Sequence, residues 1–485
     1  MDAKNVHYAG EFALPYIKLH NHENEGLVPE FDGVDIRHLV QEFNIYESMY
    51  KGAMTGSVVI TDALNLISNL PIQGTERISF KLNTPGMPAI DCSAETGHPM
   101  HIYKLTDKGQ IRDGEQAYVL HFCSREFLRN LRTKVSKAYE GPIEEIVNSI
   151  LADKNYLDSK KALRFQKTRN QDKFVMPNVK PFAAISMLCK KAMAENSKGV
   201  GYFFWESSKG FHFRSWENLC VDMNGNPRDT IQTFRATPAN MRKPDDVFDA
   251  IEQQYQSVED YKFVNNFHDV AANTALGTYG HRVITHNIYD KSYKIDDYHY
   301  HNQYKDTGHA DGNNPPIVTT PVDFDDKGVS DYPESRVTVM PTTQFAHGKD
   351  TGSFGMPVEQ DGKLEPYRES LANQVIAGTK LHLTVKGQSM LAVGDVIEFR
   401  LISVENKVDS SGSLDHHFSG RYIITKIRHR VNFVPAEYRQ VLECAKDSVA
   451  NAYSSNLSSF PGKKPKNDTT QFTDEIWGLG DTYMI

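Results

Sequence analysis

No stretch of the 485 residues stays apolar over the roughly 18 positions that a membrane-spanning helix needs. The opening segment, MDAKNVHYAGEF, has no apolar h-region, so no secretory signal is expected. Cysteine is scarce. The five residues, Cys92, Cys123, Cys189, Cys220 and Cys444, are odd in number and far apart, and no CxxC pair occurs. That excludes a disulfide scaffold and predicts reduced, mostly buried thiols in a protein made in a cytosol. Positive charge is not in excess: 54 Lys and Arg face 62 Asp and Glu, a net charge of −8. This argues against a chain that coats nucleic acid through a basic surface. A local basic patch, or a wall to which nucleic acid does not adhere, stays compatible with it. Tryptophan is rare (3) beside 23 Tyr and 25 Phe, a balance that leans towards β structure. No GxSxG elbow, HExxH, P-loop or Rossmann fingerprint is present.

What is present is β-rich at both ends. At roughly 150 residues per domain the length suits about three domains. In ERISFKL (76–82), Ile78, Phe80 and Leu82 alternate with Arg77, Ser79 and Lys81, and 101–126 reads as a hairpin with a polar middle. The character then shifts. In 141–153, Ile143, Ile146, Val147, Ile150 and Leu151 share a helical face behind Pro142, with Glu144 and Glu145 near the positive end. Pro181 opens a second helix, lined by Phe182, Ile185, Leu188, Cys189 and Ala192. GYFFWESSKGFHFRSW (201–216) follows as an aromatic hairpin around Ser207–Gly210. Residues 306–336, rich in Asp, Gly and Pro, predict a long excursion rather than core. A helix is expected over 363–378, with Leu364, Tyr367, Leu371 and Val375 on one face and Gly378 as its C-cap. Strands return in 381–402, 420–433 and 437–447. The end, 454–485, is a polar linker followed by apolar anchors, which suggests a docking tail. One internal echo stands out: VLHFCS (119–124) and VLECAK (441–446) each lie in the last arm of a hairpin.

Few residues invite chemistry. HNH (20–22) is three letters without the framework of a metal domain, and reads as loop. His299 and His301 of YHYH fall on one side of a strand, but a metal site wants three or four ligands. Asp415-His416-His417 lies in a Ser/Gly loop, and the pairs Asp296-Asp297 and Glu144-Glu145 suit solvated loops and helix starts. The sharpest charged feature is the Lys426, Arg428 and Arg430 face of the 420–433 strand. It is either a solvated face or a surface that meets an acidic partner.

The segment FNIYESMYKGAMTGSVVITDALNLISNLPIQGTERISFKL (43–82) resembles the first tube-like domain of baseplate hub proteins of contractile-tailed bacteriophages, an architecture shared with the base of type VI secretion spike proteins. The helix and aromatic hairpin of 180–216, the run 273–293 and the stretch 381–447 are similar to the same family. The resemblance implies a mixed α+β, β-dominated fold. Residues 1–126 would form a first tube-like β-barrel domain and 127–245 an α+β domain. Residues 246–305 and 379–447 would form a second barrel, with 306–378 as an insertion and 448–485 as a flexible tail. It also implies a non-enzymatic homotrimer, with six barrels in a ring between a six-fold tail tube and a three-fold central spike, passing viral DNA. Such a protein is assembled in a host bacterial cytoplasm and resides in the virion, and no cofactor or metal is implied. Three copies at −8 carry −24, which suits a non-adhesive lumen. Candidate partner-contacting residues are Lys426, Arg428 and Arg430, and in the tail Phe472, Ile476, Trp477, Leu479 and Tyr483. The alternatives are a secretion-system spike base, and a cell-wall hydrolase or glycan-binding tail protein with a cleft near 296–301. Within 52–74, Thr61 or Asp62 is expected to cap a short helix whose Leu64, Ile67 and Leu70 turn to the sheet before Pro71 ends it.

Overall fold

Strands rich in β-branched and aromatic residues outnumber helices in this chain, because such side chains fill a pleated, half-buried surface. The computed structural model describes residues 6–20, 33–69, 72, 74–169, 171–197, 199–236, 247–265, 269–287, 291–312, 314–317, 326–342, 367–375, 378–402, 414–415 and 417–450. The first β region contains β1 (Ile17–His20), β2 (Val34–Asp35), β3 (Val40–Ser48), β4 (Thr55–Asp62), β5 (Arg77–Leu82), β6 (Ile90–Cys92), β7 (Met100–Arg112) and β8 (Glu115–Cys123). Its core is Phe43, Phe80 and Phe122, with Phe43 edge-on to Phe80 at 4.8 Å and stacked on Phe122 at 5.6 Å.

The α+β region begins with helix α2 (Arg125–Arg132), α1 being the four residues Leu66–Asn69. It continues through β9 (Ala138–Pro142), α3 (Ile143–Ala152), β10 (Leu163–Phe165), β11 (Gln171–Val175), α4 (Pro181–Lys191), β12 (Tyr202–Ser207), β13 (Gly210–Ser215) and α5 (Trp216–Cys220). The face expected of α3 is the buried one, and Pro181 sits in the first turn of α4 as its fixed φ favours. Its aromatic hairpin is β12 paired with β13, and β10 lies parallel to β13. Glu144 is buried rather than solvated: its carboxylate accepts from the backbone and hydroxyl of Thr168, which anchors the start of α3.

Then come β14 (Gln232–Ala236), α6 (Val247–Gln256), β15 (Val258–Asn265), α7 (Val270–Ala275), β16 (Gly280–Asn287), β17 (Tyr293–His299), α8 (Tyr300–Gln303), β18 (Val337–Thr342), β19 (Thr379–Lys386), β20 (Val396–Leu401), β21 (Gly420–Phe433) and β22 (Ala436–Lys446). Strands β16 and β17, whose residues the sequence grouped with the second β region, form instead a separate sheet in the order β17-β16-β18. The 306–336 segment is partly core rather than pure excursion, since Ala310, Ile317 and Val329 are buried. A polar composition misled here because His309 and its neighbours are buried with their hydrogen bonds met inside the fold.

The two β regions are one sheet of 14 strands with the path β15-β19-β22-β21-β3-β4-β8-β7-β5-β1-β2. No sheet closes into a barrel among the described residues, so the expectation of two barrels is corrected. The physical reason is the junction of β21 with β3. Each region completes one of its open edges with the other's, from Lys426 opposite Ser48 to Asn432 opposite Glu42.

The path also contains a tandem duplication. In chain order the first unit runs β3, β4, β5, β7, β8 and the second runs β15, β19, β20, β21, β22. In both, the first strand pairs with the second, the second with the fifth, the fifth with the fourth and the fourth with the third, all antiparallel. Two of the irregularities match as well, one in each of two strand pairs. A register shift falls between Ile102 and Lys104 in β7, and between Ile424 and Lys426 in β21. Another falls between Val40 and Glu42 in β3, and between Val258 and Asp260 in β15. Bulges are specific features of a strand, and two in corresponding places are what duplication leaves behind.

Candidate interaction surface at the strand junction

The junction is built on β3. Glu42 stands opposite Asn432 on β21 and pairs with Arg428 at 3.0 Å and Arg430 at 2.8 Å. Asn44 orients this cluster, donating to Glu42 at 2.9 Å and accepting from the Arg428 Nε at 2.9 Å. Burial acts to raise the Glu42 pKa, but the bonds from Asn44 and Arg430 and the two guanidinium charges outweigh it and hold the carboxyl below its ordinary range. Lys426 meets Glu443 of β22 at 2.8 Å. The basic face singled out in the sequence therefore meets acidic residues of its own chain.

Five residues along β3, Glu47 is fully buried and ties three parts together. One carboxylate oxygen accepts from Ser208 N–H at 2.8 Å in the β12–β13 loop, the other from Val393 N–H at 3.1 Å before β20. Burial, against these bonds, pushes its pKa up to about 7. Beside it Lys209 pairs with Asp395 at 2.6 Å. Two tryptophans fasten the same region: Trp205 donates to Val393 O at 3.2 Å and Trp216 to Asp447 at 2.9 Å.

The tandem arrangement leaves two edges open. Among the described residues, β15 pairs along its length only with β19, its other side meeting β14 just at the Arg235–Ser257 bridge before its first residue, and β7 pairs with β5 only at Met100 and His101. In the second unit, the matching part of β21 is the part occupied by β3. The outward side chains on these edges include Tyr261 (42% exposed) and Val264 (46%) on β15, and Ile111 (54%) on β7.

The other residues marked by the sequence have structural duties. His20 bonds Ser79 at 2.9 Å in the first sheet; Asn21 and His22 lie outside the described residues. His299 bonds Ser330 O at 2.8 Å, and His301 bonds the Ser330 hydroxyl and Ile317 O, each at 2.9 Å, so this pair pins the segment behind it. Asp297 forms a two-pronged pair with Arg282, and Asp296 pairs with Lys294 at 3.4 Å. Asp415 accepts from the His417 and Phe418 amides, and His416 lies outside the described residues. Phe472, Ile476, Trp477, Leu479 and Tyr483 also lie outside them, as do Leu70, Pro71 and Leu364. No cluster of three His, Cys, Asp or Glu residues fit to hold a metal, and no helix long and apolar enough to cross a membrane, occurs among the described residues. All five cysteines are free and buried.

Sequence reasoning missed Glu42 and Glu47, since isolated glutamates in a strand carry no motif. The duplication did leave a signal in the sequence: VLHFCS and VLECAK lie at matching positions of β8 and β22.

No protein-family model matches the chain, and no curated protein does. Among solved structures it is similar to a tail protein from Neisseria meningitidis MC58, with 10% identity, a TM-score of 0.49, and 91% of this chain and 99% of that one covered. The 43 kDa tail protein of prophage MuSo2 from Shewanella oneidensis is similar at 7% identity and a TM-score of 0.46, over 90% of this chain and 100% of that one. The E. coli c3393 protein, a component of the type VI secretion system, is similar at 11% identity and a TM-score of 0.39, over 86% of this chain and 76% of that one. Likenesses this distant decide neither fold nor function, which rest here on the chain's own sequence and geometry.

Proposed function

We propose that this chain is a ring-forming structural protein of a contractile tail baseplate. In this reading it is a homotrimeric hub that joins the tail tube above to the central spike below and lines the path of the viral DNA. The observation that carries the reading is the tandem sheet with complementary open ends. Inside one chain, the fourth strand of the second unit (β21) pairs with the first strand of the first unit (β3). Left over are the first strand of the second unit (β15), at one end of the path, and the part of the fourth strand of the first unit (β7) beyond His101, which β5 does not cover. Head-to-tail association of copies through β7 and β15 repeats the internal junction, and such heterologous contacts form a ring when the rotation closes. Three copies would give six near-equivalent units with true three-fold symmetry, which suits an adaptor between six-fold and three-fold neighbours. The sequence resemblance supports the same trimer. An adaptor works through satisfied β surfaces, and the groups that suggested a cleft near 296–301 are spent on pinning the chain.

The internal register sets the test. Arg428 lies opposite Tyr46 at the junction, and the duplication maps this pair onto Thr106 of one copy and Val264 of the next. Thr106→Cys combined with Val264→Cys is expected to give disulfide-linked oligomers on mild oxidation, while the buried native cysteines stay silent. The native mass should be three times 54.9 kDa, 164.7 kDa. A stable monomer without cross-links, alone and with tail-tube or spike proteins added, would overturn the hub.

A further inference from the structure

A hollow between β5, the start of β7 and α2 is lined with arginine. Two adjoining cavities, of about 190 and 440 Å³, share Arg77, His101 and Arg125. The smaller adds Lys160 and the larger adds Arg129 and Arg132. Elsewhere this acidic chain answers several cations in place: Arg428 and Arg430 have Glu42, Lys426 has Glu443, and Lys209 has Asp395. Here carboxylates fall short: Asp158 alone answers both Arg125, at 2.8 Å, and Lys160, at 3.2 Å, and Arg77, Arg129 and Arg132 form no ion pair among the described residues. No Asp or Glu lines the larger cavity among the described residues. The one carboxylate of the smaller, Glu126, is committed to the Ser159 hydroxyl at 2.6 Å and to Lys161 at 3.3 Å.

The hollow is also preorganised. Arg125 is held by the Asp158 carboxylate and carbonyl, both at 2.8 Å. Arg129 donates to the carbonyls of Tyr156, at 2.7 Å, and Lys154. Two guanidiniums are therefore fixed before any ligand arrives, which cuts the ordering cost of binding. Burial, with the positive charge of Arg77 and Arg125, pushes the His101 pKa down to about 4, so its imidazole is neutral at pH 7 and adds no charge of its own.

We propose that this hollow receives an acidic peptide segment of a partner protein, whose Asp or Glu carboxylates dock on Arg77, Arg125 and Arg132. Planar guanidiniums match carboxylates two bonds at a time. The cations gather in one concavity rather than along a stripe, and the chain around them is net negative. Both features favour a short acidic segment over a long polyanion such as nucleic acid. The proposal does not depend on the ring.

The test is fluorescence anisotropy of a labelled oligo-glutamate peptide with the full chain. Binding should be seen at low salt and fade as salt screens it. Arg77→Ala with Arg132→Ala should weaken it by about tenfold or more, at an unchanged melting temperature. Arg77→Lys with Arg132→Lys, which keeps the charge and loses the fork, should recover only part of the affinity. Absence of binding, or equal binding by the alanine variant, overturns the proposal. So does a single-stranded oligonucleotide of equal charge that displaces the peptide at a lower concentration than the unlabelled peptide does.

Discussion

At the scale of single residues, two buried carboxylates set how stability responds to pH. Asp447 is fully buried and accepts from Trp216 at 2.9 Å, from the Ala310 amide at 3.1 Å and from His309 at 2.9 Å. The other ring nitrogen of His309 faces Tyr304 O at 2.7 Å, and the ring stacks on Tyr304 at 3.7 Å. Both nitrogens face acceptors, so the ring is an imidazolium. Burial works against that charge, but Asp447 and the Tyr304 carbonyl outweigh it and raise the His309 pKa above its ordinary value. A raised histidine contributes stability that is fully present below the unfolded value near 6.5 and is lost as pH rises through the folded one. Glu47 works in the same direction. Its pKa near 7 lies above the unfolded value, so its folded state holds a proton that the unfolded state has shed, and stability falls from about pH 4.5 to 7. Thermal unfolding should therefore show a melting temperature that declines from mildly acidic to alkaline pH. In His309→Gln the part of the decline above about pH 7, where Glu47 has already titrated, should disappear. Asp447→Ala, which strips Trp216, the Ala310 amide and His309 of their shared buried acceptor, should cost roughly 3–5 kcal/mol in denaturant titration.

At the scale of elements, strand packing rather than ion pairing holds the junction. The Arg428 and Arg430 side chains are 39% and 40% exposed, so each pair with Glu42 is worth at most about 1 kcal/mol, and Glu42→Ala should be mild in a chemical melt. Phe43 is fully buried against Phe80 and Phe122, and Phe43→Ala should cost roughly 3–5 kcal/mol. Gly56 makes the neighbouring contact possible: a Cβ there would lie 2.1 Å from the Phe122 ring. Gly56→Val should thus abolish folding of the first unit, seen as loss of soluble protein. The turn after β4 shows where local reasoning holds and where it stops. Asp62 does cap, accepting from the Leu64 and Leu66 amides at 2.8 and 2.7 Å. Yet Leu64, expected to face the sheet, is 62% exposed, and Leu66 is buried in its place. Asn65, with φ 55°, bends the chain so that the helix starts only at Leu66.

At the scale of the whole molecule, the proposed ring rests on the uncovered edges of β15 and β7. A long exposed edge that carries Tyr261 and Val264 invites pairing, and a ring is the closed way to satisfy it. Placing a charge there should block the assembly and spare the fold. Val264→Glu is expected to give a monomer by light scattering, with a stability change within about 0.5 kcal/mol for the isolated chain. An unchanged trimer would show that the edge is not the contact.

The amino-acid sequence by itself determined the strands, the helical faces of α3 and α4, the aromatic hairpin and the scarcity of catalytic constellations. All of these follow from periodicity and residue chemistry within short windows. Even the duplication left a trace, in VLHFCS and VLECAK. Only the tertiary structure decided that β3 and β21, distant in the chain, lie side by side, and that β16 and β17 leave the main sheet. It alone showed that Lys426, Arg428 and Arg430, which the sequence marks as candidate partner contacts, pair with Glu42 and Glu443 of the same chain. Edge pairing and burial of charge depend on which segments meet in space. A local pattern carries no term for that meeting, because the hydrogen bonds of a strand are satisfied by its neighbour and not by itself.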